Sequence, residues 1–273
     1  GRIISSSAKV DEKSINERKC FLCYDNFPNE QKGILYKNQY LILCNPFPIF
    51  PEHFTLPHVD HLPQSIKLSF DKLLNFSKDL AKYYTVFYNG PKCGASAPDH
   101  LHFQAGTKNF MPIEKDFFQI KNKFGDILFE DNDIVVTGVN DKLRRFVVFE
   151  GTNQKRIRHK FEIFYDIYAA LKNNNNEEPL MNIIAYFDRN TRWRIMVFLR
   201  DKHRPSHYFR QGEQQILLSP AAVDMGGICI TPLEKDFNKI TEDDIIDIFH
   251  EVSLSREYFE YVKAKLHKEL KKL

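Results

Sequence analysis

The sequence predicts an α+β fold in which antiparallel strands are flanked by helices, and three observations predict it. His100-Leu101-His102-Phe103-Gln104 alternates polar and apolar residues with the period of a half-buried strand. Residues 64–89 and 156–172 instead repeat apolar positions at helical spacing. The first stretch does so at Ile66, Phe70, Leu73, Leu74, Leu80, Ala81 and Tyr84, the second at Ile157, Phe161, Phe164, Ile167, Tyr168 and Leu171. Residues 181–187 and 193–200 are apolar runs around a polar Asp188-Arg189-Asn190 turn, the pattern of an antiparallel hairpin. At 273 residues the chain is long enough for one large domain or two intimately packed ones.

Composition narrows the function classes. A net charge of +3 is near neutral for this length and argues against a nucleic-acid protein, whose basic residues would dominate and cluster. The dense basic runs are 155–160 and 263–272, and the latter reads as the solvated end of a helix. No run approaches the eighteen or so apolar residues of a membrane span. Five cysteines, an odd number with two in one C-x-x-C, suit a reducing compartment better than a disulfide framework, so a cytoplasmic location is expected.

Taken in order, residues 1–19 are polar, lack the apolar core of a signal peptide and read as a loosely held arm. Cys20-Phe21-Leu22-Cys23 follows, and by itself reads as half a zinc site, a redox pair or two buried cysteines. Residues 34–44 make one or two strands, and the proline-rich 45–51 is an extended connection. A strand beginning near His53 then runs into a turn holding His58 and His61. The helix of 64–89 delivers the chain to a glycine-bearing loop and the H-x-H strand.

Residues 107–150 read as phenylalanine-rich connections and short strands at 127–129, 134–139 and 144–150. The helix of 156–172 ends in the asparagine run 173–176, and the 181–200 hairpin is followed by the cation-rich 201–204. Residues 215–230 suggest a strand, a Gly226-Gly227 turn and another strand. Residues 241–271 are one long amphipathic helix or two, with acidic residues in the first turn after Thr241. The expected organisation is an arm (1–19), a half carrying the H-x-H-x-Q motif (20–110) and a second half with the C-terminal helix (111–273), the two halves sharing a sheet.

The chemistry concentrates in residues 89–106, NGPKCGASAPDHLHFQAG. In a strand, His100, His102 and Gln104 fall on one face and Leu101 and Phe103 on the other. Gly90 and Gly94 let backbone N–H groups approach an anion, with Lys92 and Ser96 as side-chain partners. A neutral imidazole is a good nucleophile near pH 7 and a good leaving group from phosphorus, so this grouping points to phosphoryl chemistry.

The segment GASAPDHLHFQ resembles the active-site motif of the histidine-triad (HIT) superfamily, in its transferase branch. That branch holds galactose-1-phosphate uridylyltransferase and the diadenosine tetraphosphate phosphorylases (ATP adenylyltransferases). The resemblance implies a HIT-like fold of two related halves, with His102 as nucleophile carrying a covalent nucleotidyl group. Gln104, where the hydrolase branch has a third histidine, would hydrogen-bond a phosphate oxygen of that intermediate. Asn89, Lys92, Gly94 and Ser96 would serve nucleotide or phosphate binding. So would Arg200, Lys202 and Arg204, in a region similar to the C-terminal part of the phosphorylases.

The uridylyltransferase pattern implies a structural zinc held by Cys20, Cys23, His100 and His61, with His58 as the alternative to His61. Asp99 before the first histidine, and Leu101 where the uridylyltransferases have proline, depart from that pattern and loosen the sugar-specific assignment. The implied activity is nucleotidyl transfer from an NDP-sugar or dinucleoside polyphosphate to phosphate or a sugar 1-phosphate. A hydrolase using the same His102, or a non-catalytic zinc-containing nucleotide-binding protein, are the alternatives. Expected partners are that substrate and acceptor, with a homodimer left open and neither nucleic acid nor membrane expected.

Overall fold

Short β-branched and aromatic runs, each followed by a tight turn, fold back on one another into a single antiparallel sheet. The computed structural model describes residues 18–171, 177–188 and 192–272; all but two residues of the expected arm, the 173–176 loop and the tip of the Asp188-Arg189-Asn190 turn lie outside them. The strands are β1 (Gly33–Tyr36), β2 (Tyr40–Cys44), β3 (His53–Pro57), β4 (Tyr84–Asn89), β5 (His102–Thr107), β6 (Gly125–Glu130), β7 (Ile134–Asn140), β8 (Arg145–Gly151), β9 (Met181–Phe187) and β10 (Trp193–Leu199). The longer helices are α1 (Phe70–Asp79), α2 (Pro112–Phe124) and α3 (Gln154–Leu171). Shorter and C-terminal ones are α4 (Ser206–Phe209), α5 (Ala222–Met225), α6 (Glu234–Lys239), α7 (Glu242–Val252) and α8 (Arg256–Leu270).

Across the sheet the strand order is β1-β2-β3-β5-β4-β9-β10-β8-β7-β6. Read inward from either edge, the path is the same: three strands, a helix, then two strands of which the later inserts beside the third. The two copies abut through β4 and β9, paired from Val86↔Ala185 to Asn89↔Asn182. This is an α+β fold of two related halves in one sheet, as the sequence predicts.

The alternation of side chains separates the two faces. One face, with Val86, Tyr88, Phe103, Ile183 and Ala185, is covered by α1 and α3, whose Phe70 and Phe161 rings stack 3.7 Å apart. Each such fully buried aromatic stabilises the fold by about 1.5–3 kcal/mol. The opposite face differs between halves. In the second half it presents Phe146, Val148, Met196 and Phe198, sealed by Ile113 and Phe117 of α2 and Ile248 and Phe249 of α7. In the first half it presents His53, Thr55, His102 and Gln104. The polar face of the first half is where chemistry can occur.

Three elements depart from the sequence expectation, and a fourth takes one of the two forms it left open. The helix of 64–89 covers only 70–79, because Tyr84–Asn89 is drawn into the centre of the sheet as β4. Within 107–150, residues 112–124 are helical, started by Pro112 at the first turn and by Glu114, whose carboxylate accepts from the Asn109 and Met111 N–H groups. Residues 215–230 contain α5 rather than two strands, and Asp224 and Asp236 side chains take N–H groups that a ladder would otherwise pair. The C-terminal stretch is two helices, divided at Ser253-Leu254, with Ser255 accepting from the Tyr258 N–H at the start of α8.

Candidate active site

His102 opens β5, two residues later than the polar–apolar alternation suggests, and His100 lies in the turn before it. The neighbouring ladders run out here. Opposite His102 on β3 stands Pro57, which has no N–H, and the β4 ladder ends at Phe87↔Gln104. Gln64 fills the gap: its Oε1 accepts from the His102 N–H (2.8 Å), and its amide donates to the carbonyls of His102 (3.1 Å) and Asn89 (2.9 Å). The His102 backbone is thus held by a side chain in place of a strand.

The His102 ring is 2% exposed. Its Nδ1 lies 2.8 Å from the His100 carbonyl, which can only accept, so Nδ1 carries the proton and Nε2 keeps its lone pair. Burial pushes the ring's pKa down to about 4, opposed by that hydrogen bond. The imidazole is therefore neutral at pH 7, with the lone pair a nucleophile needs. Among the described residues, no hydrogen bond occupies Nε2.

On the same face two residues along, Gln104 accepts at Oε1 from His53 Nε2, 2.9 Å away. His53 is buried between the Phe50 and Phe87 rings, and its Nδ1 accepts from the Ile49 N–H at 3.2 Å. Beside them, Asn45 donates to Thr55 Oγ1 on β3.

In the turn before His102, Cys20, Cys23, His61 and His100 bring one ligand atom each to within 4.8 Å of one another, a group that can hold a metal ion. His100 Nδ1 lies 3.4 and 3.6 Å from the Cys20 and Cys23 sulfurs, and His61 Nδ1 lies 3.2 Å from Cys23. A tetrahedral ion with bonds of about 2.3 Å to sulfur and 2.0–2.1 Å to nitrogen would set such edges near ~3.5 Å, so the donors fit. His100 Nε2 donates to the His58 carbonyl (2.8 Å), which fixes the tautomer with Nδ1 toward the sulfurs. Burial pushes the Cys20 thiol up to about 11 in the absence of a cation; a bound cation reverses this by deprotonating it.

His58, the alternative ligand, contributes its carbonyl while its ring turns toward Asp60 and the Tyr40 ring. Two groups that the sequence reading did not assign to the cluster flank it. Asp99 sits 3.6 Å from His61 Nε2, and the Arg18 guanidinium pairs with Asp99.

The glycine loop crosses the open ends of β4 and β9. Gly94 has a φ of +93°, and a Cβ there would meet the Ala221 Cβ at 2.6 Å, so only glycine fits. Ser96 is half-buried, and Lys92 is exposed and pairs with Glu177 at 2.7 Å. Asn89 is 5% exposed and accepts at Oδ1 from the Ala222 N–H and from Asn182, which also donates to the Cys93 carbonyl. This is a structural duty for Asn89, where the sequence suggested nucleotide contact.

Arg200 corrects the sequence reading more sharply. It is fully buried, and its five N–H donors go to Val252, Asn182, Pro220, Lys202 and His203, leaving none for a phosphate. Lys202 is exposed and paired with Glu251, and Arg204 lies over the Tyr208 ring at 4.4 Å. Gln64, His53 and Asn182 were not legible as site residues. Their partners stand 38, 51 and 93 positions away along the chain.

Residues 120–273 match the family described as GDPGP1-like, C-terminal domain, and residues 1–107 match a domain of unknown function (DUF4922). No curated protein matches the sequence. Among solved structures, yeast Ap4A phosphorylase Apa2 has a similar fold, at a TM-score of 0.53 and 17% identity over 80% of this chain and 73% of that one. The same yeast protein in complex with AMP gives 0.52 and 18% over 80% and 74%. Its complex with Ap4A gives 0.50 and 16% over the same shares. The HIT-like fold expected from the H-x-H-x-Q motif is therefore the fold found.

Proposed function

The chain belongs to the family of GDPGP1-like C-terminal domains, and from that premise we propose that it is a nucleotidyltransferase of phosphorylase type working through a nucleotidyl-His102 intermediate. One observation carries the reading: a buried neutral imidazole with Nδ1 tied to a carbonyl and Nε2 left bare, beside a glutamine amide on the same strand face. The fold shared with a yeast enzyme that acts on Ap4A supports a nucleotide substrate, an NDP-sugar or a dinucleoside polyphosphate.

In this mechanism the Nε2 lone pair attacks the α-phosphorus. The bond from that phosphorus to the bridging oxygen breaks, and the leaving group, a nucleoside polyphosphate or a sugar 1-phosphate according to the donor, takes the electron pair. An oxygen of inorganic phosphate, or of a sugar 1-phosphate, then attacks the same phosphorus and the P–N bond breaks. The imidazole leaves neutral, and the overall kinetics are ping-pong. Gln104 donates to a non-bridging oxygen, while Lys92, Ser96 and the loop backbone face the rest of the phosphate chain. Lys202 and Arg204 remain candidates for the leaving group or the acceptor.

Cys20, Cys23, His61 and His100 would hold zinc, and four protein ligands with no open position make it structural. When bound, it fixes His100, whose carbonyl orients His102. The first half (20–110) supplies the chemistry and the second (111–273) braces it through Asn182 and Arg200.

Intact-mass spectrometry after brief incubation with NDP-sugars and dinucleoside polyphosphates tests this. The expected result is a gain of one nucleoside monophosphate, absent in His102→Ala and discharged by phosphate or a sugar 1-phosphate. An adduct discharged no faster by either acceptor than by water would make the protein a hydrolase. No adduct with any donor, from metal-replete protein, overturns the transfer reading.

A further inference from the structure

A glutamine amide beside a phosphoryl group can point either its oxygen or its NH2 at the phosphate oxygens, and only the NH2 stabilises them. In this protein the choice is made by a buried side chain on the neighbouring strand. The Ile49 backbone N–H can only donate, so His53 Nδ1 must accept from it, at 3.2 Å. A neutral imidazole then carries its proton on Nε2, which donates to Gln104 Oε1 at 2.9 Å. With Oε1 held there, the Gln104 NH2 turns away from His53, along the face shared with His102. Phe50 and Phe87 pack against His53 with ring centroids 5.3 and 5.8 Å away, and it is 5% exposed.

We infer that His53 is the positioning residue that holds the Gln104 amide with its NH2 toward the transferring phosphoryl group. The inference rests on the nucleotidyl-transfer reading of His102. It goes beyond that reading by assigning Gln104's orientation, and hence its donor role, to a residue that touches no substrate. The segment before β3 supplies the anchor, since the turn through residues 45–51 returns the Ile49 N–H onto His53, four residues ahead of it.

Two measurements test it, and the first does not depend on catalysis. Nitrogen-15 NMR of the imidazoles should find His53 as the Nε2–H tautomer, with the Gln104 side-chain amide signals displaced in His53→Phe, which keeps the ring packing and removes the donor. An Nδ1–H tautomer, or Gln104 signals indifferent to the substitution, overturns the inference.

The second is a double-mutant cycle on the rate of covalent adduct formation. His53→Phe and Gln104→Ala should each slow adduct formation by about tenfold or more, the scale of one oriented hydrogen bond to an anion. The double variant should be no slower than Gln104→Ala alone. Additive losses would mean that His53 acts through the fold and not through Gln104, and would overturn the inference. If the wild type forms no adduct from any donor while the tautomer is as expected, the transfer reading fails and the positioning role fails with it. The tautomer result would still separate that failure from an error in the geometry.

Discussion

At the residue scale, the candidate site leaves one ring nitrogen of His102 uncommitted among the described residues. His102 commits Nδ1 to the His100 carbonyl and its backbone to Gln64, so only Nε2 is left for chemistry. Behind the glycine loop, Glu178 is half-buried among its own partners. It accepts from the Ile66 N–H and the Tyr88 hydroxyl, and its pKa is pushed up to about 7 by burial, against those hydrogen bonds. Between about pH 4.5 and 7 the folded protein therefore binds a proton at Glu178 that the unfolded chain has released. That contribution to stability is full below about pH 4.5 and is lost as pH rises through about 7. Glu178→Gln should remove this dependence. Urea unfolding should find the variant less stable than wild type at pH 5 and relatively better at pH 8, with the gap changing by roughly 2–3 kcal/mol. Parallel curves for the two proteins would mean that Glu178 stays ionised throughout.

At the element scale, the turn preceding β5 is tied from three sides. The C-x-x-C segment and His61 gather on His100, and the β3 end presents the His58 carbonyl to the same ring. The loop needs Gly94 to pass Ala221. Replacing both Cys20 and Cys23 by serine should abolish bound zinc, measured by atomic emission, and should raise amide hydrogen exchange across residues 97–102 above that of the sheet. Full zinc in the double variant would place the metal elsewhere.

This turn also marks the limit of what the local sequence carries. Periodicity located His102 and Gln104 on one face, because alternation within a strand is a local property. It placed His100 on the same strand, whereas the cluster with Cys20 and Cys23 pulls that residue into the turn. The helical spacing of 80–84 likewise continued past the true end of α1, because Tyr84–Asn89 gains two strand neighbours that no local pattern reveals.

At the scale of the whole molecule, two copies of one strand–helix path have taken different duties. The second copy fills its outer face with Phe146, Met196 and Phe198 and seals it, while the first sets His53, Thr55, His102 and Gln104 on that face. The halves are joined through the Arg200–Asn182–Asn89 chain of hydrogen bonds, which crosses from β10's end to the start of the glycine loop. Arg200→Met would strip donors from five acceptors at once, those on Val252, Asn182 and Pro220 being buried. It should cost about 3–5 kcal/mol in urea unfolding. Its effect on adduct formation should come only through loss of folded protein, since Arg200 offers phosphate no donor. A variant as stable as wild type but unable to release its leaving group would restore Arg200 to the substrate site.

The sequence by itself determined which chemical groups the candidate site holds: an imidazole and an amide two residues apart on a strand, a glycine loop before them, and a C-x-x-C with histidines at metal-ligand spacing. Those signals are legible because each is set by residue type and by separation along a short stretch of chain. Only the tertiary structure decided between His61 and His58, turned Arg200 inward, and brought Gln64 and His53 to the strand that carries His102 and Gln104. The reason is physical. Which donor meets which acceptor depends on where ladders end and rings are buried, and those are set by strands far apart in sequence.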